Sequence, residues 1–166
     1  MRDESDHRHR RIVCEVARHR GVNNAEFADA NILRALVDQF DLSEHEYLIV
    51  TSGAIAAGMS GLGLQKRPND VPGMQACAAV GQSRLMHTYE RLFFGKKVVS
   101  QLLLSSDDFT SPVRYRNLQN ALAELLSLGV VPIVNENDTV AVEEMKFGDT
   151  IICRRWWRPC LKRIYW

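Results

Sequence analysis

With 166 residues, 46% of them apolar and 25% charged, the chain has the make-up of one globular domain large enough for a real core. Its net charge of +1 is unevenly spread: residues 1–24 hold six Arg and four acids, residues 151–166 hold five Lys or Arg and no acid, and the 126 residues between carry 10 basic and 16 acidic side chains. An acidic middle argues against a nucleic-acid surface on the folded part, no apolar run reaches bilayer-spanning length, and the charged N-terminus has no apolar segment of a secretory signal, so no membrane partner and a cytoplasmic setting are expected.

Residues 1–24 are dense in Arg, His and acids, which suits a solvated, irregular basic lead. The run from Ile12 to Val16 could begin a strand, but Arg18-His-Arg20 ends the apolar pattern at once. From Ala25 the sequence becomes regular. Phe27, Ile32, Leu33, Leu36, Val37 and Phe40 recur at helical spacing, which predicts an amphipathic helix over 26–41.

Tyr47-Leu-Ile-Val50 is a short uncharged run of the kind buried on both faces of a sheet. Thr51-Ser52-Gly53 follows, then the helix formers Ala54 to Ala57. This predicts a strand, a tight turn and a helix N-terminus, with Ser52 and neighbouring N–H groups facing the space above the strand. Unpaired amides and the helix dipole there favour an anion. The same stretch is equally an ordinary connection with Ser52 as a plain cap. Residues 58–72, rich in Gly, Pro and Asn, read as a loop.

Residues 73–94 form the longest helical pattern, with Met74, Cys77, Val80, Leu85, Tyr89 and Leu92 as its core stripe. Ala76, Ala78, Ala79 and Gly81 leave room for another element to come close, and Gln75 and Gln82 beside them could face a ligand or a subunit. A second buried strand is expected over 97–104, with Asp107 and Asp108 in a polar loop after it. Leu118, Leu122, Leu125 and Leu126 mark a helix over 112–128 that Gly129 stops. Residues 130–134 make a third strand, and Asn135-Glu-Asn-Asp-Thr139 follows it. Alternating strands and helices predict a mostly parallel sheet sandwiched by helices, with ligands beyond the carboxyl ends of the strands. Both polar clusters, Thr51–Gly53 and Asn135–Thr139, fall at that edge. Asn and Asp are also common in plain turns. The four Cys, at 14, 77, 153 and 160, form no CxxC pair and the His are scattered, so no metal site is expected from them.

The strings Val50-Thr-Ser-Gly-Ala-Ile-Ala-Ala-Gly58, Gln75-Ala-Cys-Ala-Ala-Val-Gly-Gln82, Gln101-Leu-Leu-Leu104 and Val131-Pro-Ile-Val-Asn-Glu-Asn-Asp-Thr-Val140, with Phe147-Gly148-Asp149, occur in this order. In them residues 26–149 resemble the amino-acid kinase family, and within it the glutamate 5-kinase branch rather than the aspartate or carbamate kinases. The resemblance implies transfer of the γ-phosphoryl group of ATP, with Mg2+, to the side-chain carboxylate of glutamate, the first step of proline biosynthesis. It implies substrate-binding positions at Ser52 and Asp138, with Gly53 and Ala54 offering N–H groups to the reacting carboxylate. Asp138 would pair with the substrate ammonium group, and Asn135 or Asn137 would hold the turn. Proline as a feedback inhibitor and a homo-oligomer are further implications. Phosphoryl transfer rests on positioning and charge neutralisation, so no general base is named.

Two departures stand out. The family opens with a strand carrying a lysine and a Gly-Ser or Gly-Thr turn for the ATP phosphates; here Ile12-Val-Cys-Glu-Val-Ala-Arg-His-Arg20 has neither. The family continues Gly-Asp-Asn-Asp after its phenylalanine; here Thr150 follows Gly148-Asp149. The expectation is therefore a basic lead over 1–24, a partial amino-acid kinase domain over 25–149, and an aberrant basic Trp-rich tail over 150–166. Reading-frame shifts are expected to account for residues 13–24 and 150–166, leaving an incomplete ATP site and impaired or no activity. A non-catalytic fragment that binds an amino acid or a kinase subunit is the alternative.

Overall fold

The computed structural model describes residues 45–140, residues 34, 35, 37, 38 and 40, and the backbone of Ile12–Ala17. Among the described residues four strands, β1 (Ile12–Ala17), β2 (Glu46–Thr51), β3 (Val99–Leu104) and β4 (Val131–Glu136), form one sheet in the order β1-β2-β4-β3. Every pairing is parallel, so the predicted sheet type holds. The helices whose bounds lie within the described residues are α1 (Ala54–Gly61), α2 (Val71–Phe93), α3 (Ser106–Thr110) and α4 (Pro112–Ser127).

Alternation along β2 and β4 divides the core in two. Tyr47, Ile49, Val131 and Ile133 pack with Leu85, Tyr89 and Phe93 of α2 and with Val37. Leu48, Val50 and Val134 pack with Phe109 of α3, Leu118 and Leu122 of α4, and Leu104. A strand with a period of two and both faces covered must be apolar throughout, which is why Tyr47–Val50 carries no charge. Leu48, Ile49, Ile133 and Leu122 are fully buried, and each such side chain contributes about 1.5–3 kcal/mol relative to exposure.

Several expected boundaries shift, each for a local reason. Ile12–Ala17 is an edge strand in register with Glu46–Thr51, where an irregular lead was expected. Pairing with an apolar neighbour overrides the charged context of its sequence. Helix α1 runs on to Gly61, so residues 58–61 are not loop. Helix α2 begins at Val71 because Asp70 accepts the Gly73 amide at 2.7 Å, and Pro72 in the first turn loses no helix hydrogen bond. Val80 of the expected core stripe is exposed, and Phe93 is buried near the helix end.

Asp107 and Asp108 belong to α3 and not to a loop. Asp108 accepts from the Ser105 amide at 2.7 Å and the Ser105 hydroxyl at 3.0 Å, and takes Arg114 Nε at 2.8 Å. Partial burial works against its charge, but these donors outweigh burial and hold the carboxyl below its usual range. Gly129 ends α4 as expected, its amide bonding Leu126 O at 2.9 Å while Val130 N reaches Leu125 O at 3.0 Å.

Of the helix expected over 26–41, residues 34, 35, 37 and 38 have helical backbone, with Val37 in the core. Its remainder, residues 18–24, the Phe147–Asp149 string and the 150–166 tail lie outside the described residues. No helix among the described residues is long and apolar enough to cross a membrane.

Candidate functional site

Strands β2 and β4 lie side by side, with Ile49 beside Ile133 and Val50 beside Val134. Parallel direction then brings both carboxyl ends to the same edge of the sheet. Continuing that register by two residues sets Ser52 level with Glu136, and Asp138 follows two residues on. The expectation that the two polar clusters share an edge is met in this topological sense.

The chain leaves β2 through Thr51, Ser52 and Gly53. Gly53 has φ 101°, a left-handed conformation that strains any residue with a Cβ, and it is the N-cap of α1. The cap is therefore Gly53 and not Ser52, and no side chain caps this helix. Within α1 the first backbone bond runs from Ala57 N to Gly53 O at 2.9 Å, so the amides ahead of Ala57 have no acceptor inside the helix. Donors of that kind, at the positive end of a helix dipole, suit a carboxylate or phosphate. Ser52 and Gly53 are half-buried, and Ala54 is buried.

On the other strand, Asn135 and Glu136 are the last residues of β4 and not part of a turn. The strand extends past Val134 because β3 keeps pairing with it, through Leu103 beside Asn135 and Leu104 beside Glu136. Asn137 N then donates to Leu104 O at 2.8 Å, and Val140 N to Asn137 O at 3.0 Å. The tip is thus anchored to β3, and Asp138 sits half-buried in the turn.

Helix α2 supplies the floor. Tyr89 donates its hydroxyl to Thr51 Oγ1 at 2.9 Å, and Asn135 Nδ2 donates to Gln82 Oε1 at 2.7 Å. Gln82 was expected to face a ligand or a subunit; it is buried against β4 instead, its Nε2 without a hydrogen-bond partner. The signal in the sequence was its place seven residues before Tyr89, two turns along the same face. Gln75, the other candidate, is half-buried. Gly81 lies against the start of α1: a Cβ there would meet Ala54 O at 1.7 Å. Gly58 is pressed in the same way onto Cys77 O, at 1.8 Å. The close approach expected from the small residues is realised between α1 and α2, and it fixes the Gly53–Ala54 amides relative to β4.

Burial pushes the Tyr89 hydroxyl up to about 12, against the lowering effect of the Thr51 bond. Because an unfolded tyrosine ionises near 10, this site adds stability that is complete below pH 10 and is lost as pH rises toward 12. Tyr89→Phe should cost about 1 kcal/mol at pH 7, the worth of one buried hydrogen bond. It should also flatten the stability loss between pH 10 and 12, as followed by urea unfolding at each pH.

Among the described residues no group of three or more His, Cys, Asp or Glu is gathered as a metal ion requires.

Comparison with known proteins places this architecture. A family model for the amino acid kinase family matches residues 24–153, and the chain belongs to that family. Its curated relatives are glutamate 5-kinases. The chain is 55% identical over 105 residues to that of Myxococcus xanthus, covering 63% of this chain and 28% of the relative. It is 46% identical over 148 residues to that of Streptococcus sanguinis, covering 84% and 39%. It is 52% identical over 120 residues to that of Moorella thermoacetica, covering 71% and 31%. The chain therefore spans well under half the length of the relatives it matches.

Proposed function

We propose that the chain carries the amino-acid half of a glutamate 5-kinase site, in which the side-chain carboxylate of glutamate accepts the γ-phosphoryl group of ATP. The observation that supports this reading is the parallel register of β2 and β4, which sets the Ser52–Ala54 turn and the Asn135–Asp138 tip at one sheet edge. Each residue has a task suited to its chemistry. The Asp138 carboxylate pairs with the substrate ammonium group. The Ser52 hydroxyl and the Gly53 and Ala54 amides hold the substrate side-chain carboxylate, and the α1 dipole favours its charge. Tyr89 and Gln82 keep the two strand ends in place from below. ATP would supply the phosphoryl group, and magnesium bound with it would neutralise its charge. A cytoplasmic homo-oligomer with proline as a feedback ligand belongs to the same reading.

Strand β1 reads Ile-Val-Cys-Glu-Val-Ala, with an acid and no lysine where the family resemblance implies a phosphate-gripping lysine, and this supports weak or absent turnover by this polypeptide. It also gives weight to a second reading, an amino-acid-binding fragment without catalysis. Trapping the acyl phosphate with hydroxylamine, in ATP, magnesium and glutamate, separates the two when run beside thermal unfolding with glutamate. Slow glutamate-dependent hydroxamate supports the kinase reading. Stabilisation by glutamate with no hydroxamate supports the fragment. Neither signal contradicts both, and turnover at the rate of an intact enzyme contradicts the impairment.

A further inference from the structure

Two polar side chains are buried together beneath the end of β4. Asn135 is 4% exposed and Gln82 of α2 is 9% exposed. Both lie on the sheet face that α2 covers. Asn135 follows Val131 and Ile133 at a period of two, and those residues pack with Leu85, Tyr89 and Phe93 of α2. The helix is held close at this point. Gly81, beside Gln82, is pressed onto the first turn of α1, where a Cβ would lie 1.7 Å from Ala54 O and 2.4 Å from Gly58 N. Gln82 therefore joins the start of α1 to the end of β4, the two parts of the amino-acid site.

A single hydrogen bond links the pair, from Asn135 Nδ2 to Gln82 Oε1 at 2.7 Å. It commits the nitrogen end of the Asn135 amide to the helix. The oxygen end, Oδ1, is left over: it accepts no hydrogen bond from the described residues and, unlike Gln82 Nε2, is not sealed from solvent. An amide oxygen is an acceptor only, so it suits an N–H donor and opposes a carboxylate.

The neighbouring buried pair behaves differently. Tyr89 donates to Thr51 Oγ1 at 2.9 Å, and Thr51 Oγ1 donates in turn to Ser52 O at 3.4 Å. That chain of bonds runs on into the backbone of the turn after β2. Gln82 Nε2, by contrast, is buried with no acceptor. A methionine at position 82 would fill a similar space without burying an unpaired donor, so packing alone does not account for an amide there. Satisfying Asn135 does not account for it either, because apolar residues at both positions would leave nothing to satisfy. What the pair achieves is a fixed direction for the Asn135 amide.

We propose that Gln82 is a positioning residue that sets the selectivity of the amino-acid site: by holding Asn135 Nδ2 it presents Asn135 Oδ1 to the ammonium group of the bound amino acid. The inference rests on the amino-acid reading given above. Turned the other way, Asn135 would present N–H donors, which suit a carboxylate and oppose an ammonium group. Gln82 thus makes the site favour an α-amino acid over a dicarboxylate of the same length.

Calorimetry of the 166-residue chain with L-glutamate and with glutarate, which lacks the ammonium group, tests this. The parent should prefer glutamate. Gln82→Met, which keeps the side-chain length and removes the acceptor, should lose about 10-fold of that preference by weakening glutamate and not glutarate, the effect of one hydrogen bond to a charged group. Gln82→Glu still offers an oxygen to Asn135 Nδ2 and should keep the preference. Asn117→Ala, exposed on α4, should change neither affinity. The parent gives a second reading that needs no variant. In the ¹⁵N-labelled chain, one side-chain N–H of Asn135 should exchange slowly with solvent and stay protected when glutamate saturates the site. The proposal is overturned by an unchanged preference in Gln82→Met, by equal weakening of both ligands in that variant, or by loss of the Asn135 protection on adding glutamate. Each of these leaves the amino-acid site itself standing, whereas a parent chain that binds no glutamate overturns the site and this inference together.

Discussion

Gly81→Ala should destabilise the chain by about 3 kcal/mol, the upper part of the range for overpacking a closed interior. Helix propensity alone predicts the opposite sign, because alanine is favoured over glycine inside a helix by about 1 kcal/mol. Contact geometry decides between them. The new Cβ would lie 1.7 Å from Ala54 O and 2.4 Å from Gly58 N, both backbone atoms of α1 that no side-chain rotation can move aside. The two helices would have to separate, and Ala54 and Gly58 would leave positions where little space is free. Ala79→Gly, at an exposed position of α2, is the control and should cost about 1 kcal/mol from propensity alone. Urea unfolding followed by circular dichroism measures both. A Gly81→Ala chain as stable as the parent would mean that α1 and α2 do not touch at this point.

The second large effect concerns the ligand. Asp138→Asn should weaken glutamate binding about 10- to 100-fold, the range for a charge-assisted hydrogen bond lost without loss of shape. Ser52→Ala should weaken it about 10-fold, because in the proposed site the neighbouring amides would still hold the carboxylate. Glutarate tells the two roles apart. It has both carboxylates of glutamate and no ammonium group. If Asp138 pairs with the ammonium, the parent prefers glutamate to glutarate and Asp138→Asn loses that preference, whereas Ser52→Ala weakens both ligands alike. Glu124→Gln, an exposed change on α4, should alter neither affinity. Equal loss of both ligands in Asp138→Asn would remove the ammonium role from that residue.

Most of the sheet was legible because its strands obey a strict pattern. Tyr47–Val50 and Val131–Val134 are buried on both faces, so the sequence has to be apolar without alternation. Leu118, Leu122 and Leu126 were legible for the matching reason, since one face of α4 meets the core. Short-range polar chemistry was less visible. The Asp108 bonds to Ser105 turn two acids from apparent loop residues into a short helix, and only coordinates reveal which donor a carboxylate meets. Asn135 looked like a turn residue by type, yet it is buried in β4 because Gln82, 53 positions away, satisfies its amide. The cap at Gly53 was missed for a related reason: serine is the commoner cap, and the φ of 101° that demands glycine belongs to the backbone path from strand to helix. Family resemblance alone supplied the pairing of position 52 with position 138; the strand register shows that the ends of β2 and β4 lie at one edge of the sheet.

One measurement bears most directly on the amino-acid site. In a ¹⁵N-labelled sample of the chain, added L-glutamate should shift the amides of Ser52, Gly53, Ala54 and Asp138 together, along one saturation curve. Amides that stay still at these four positions while glutamate binds elsewhere, or that move with unrelated midpoints, would contradict a shared site at the ends of β2 and β4.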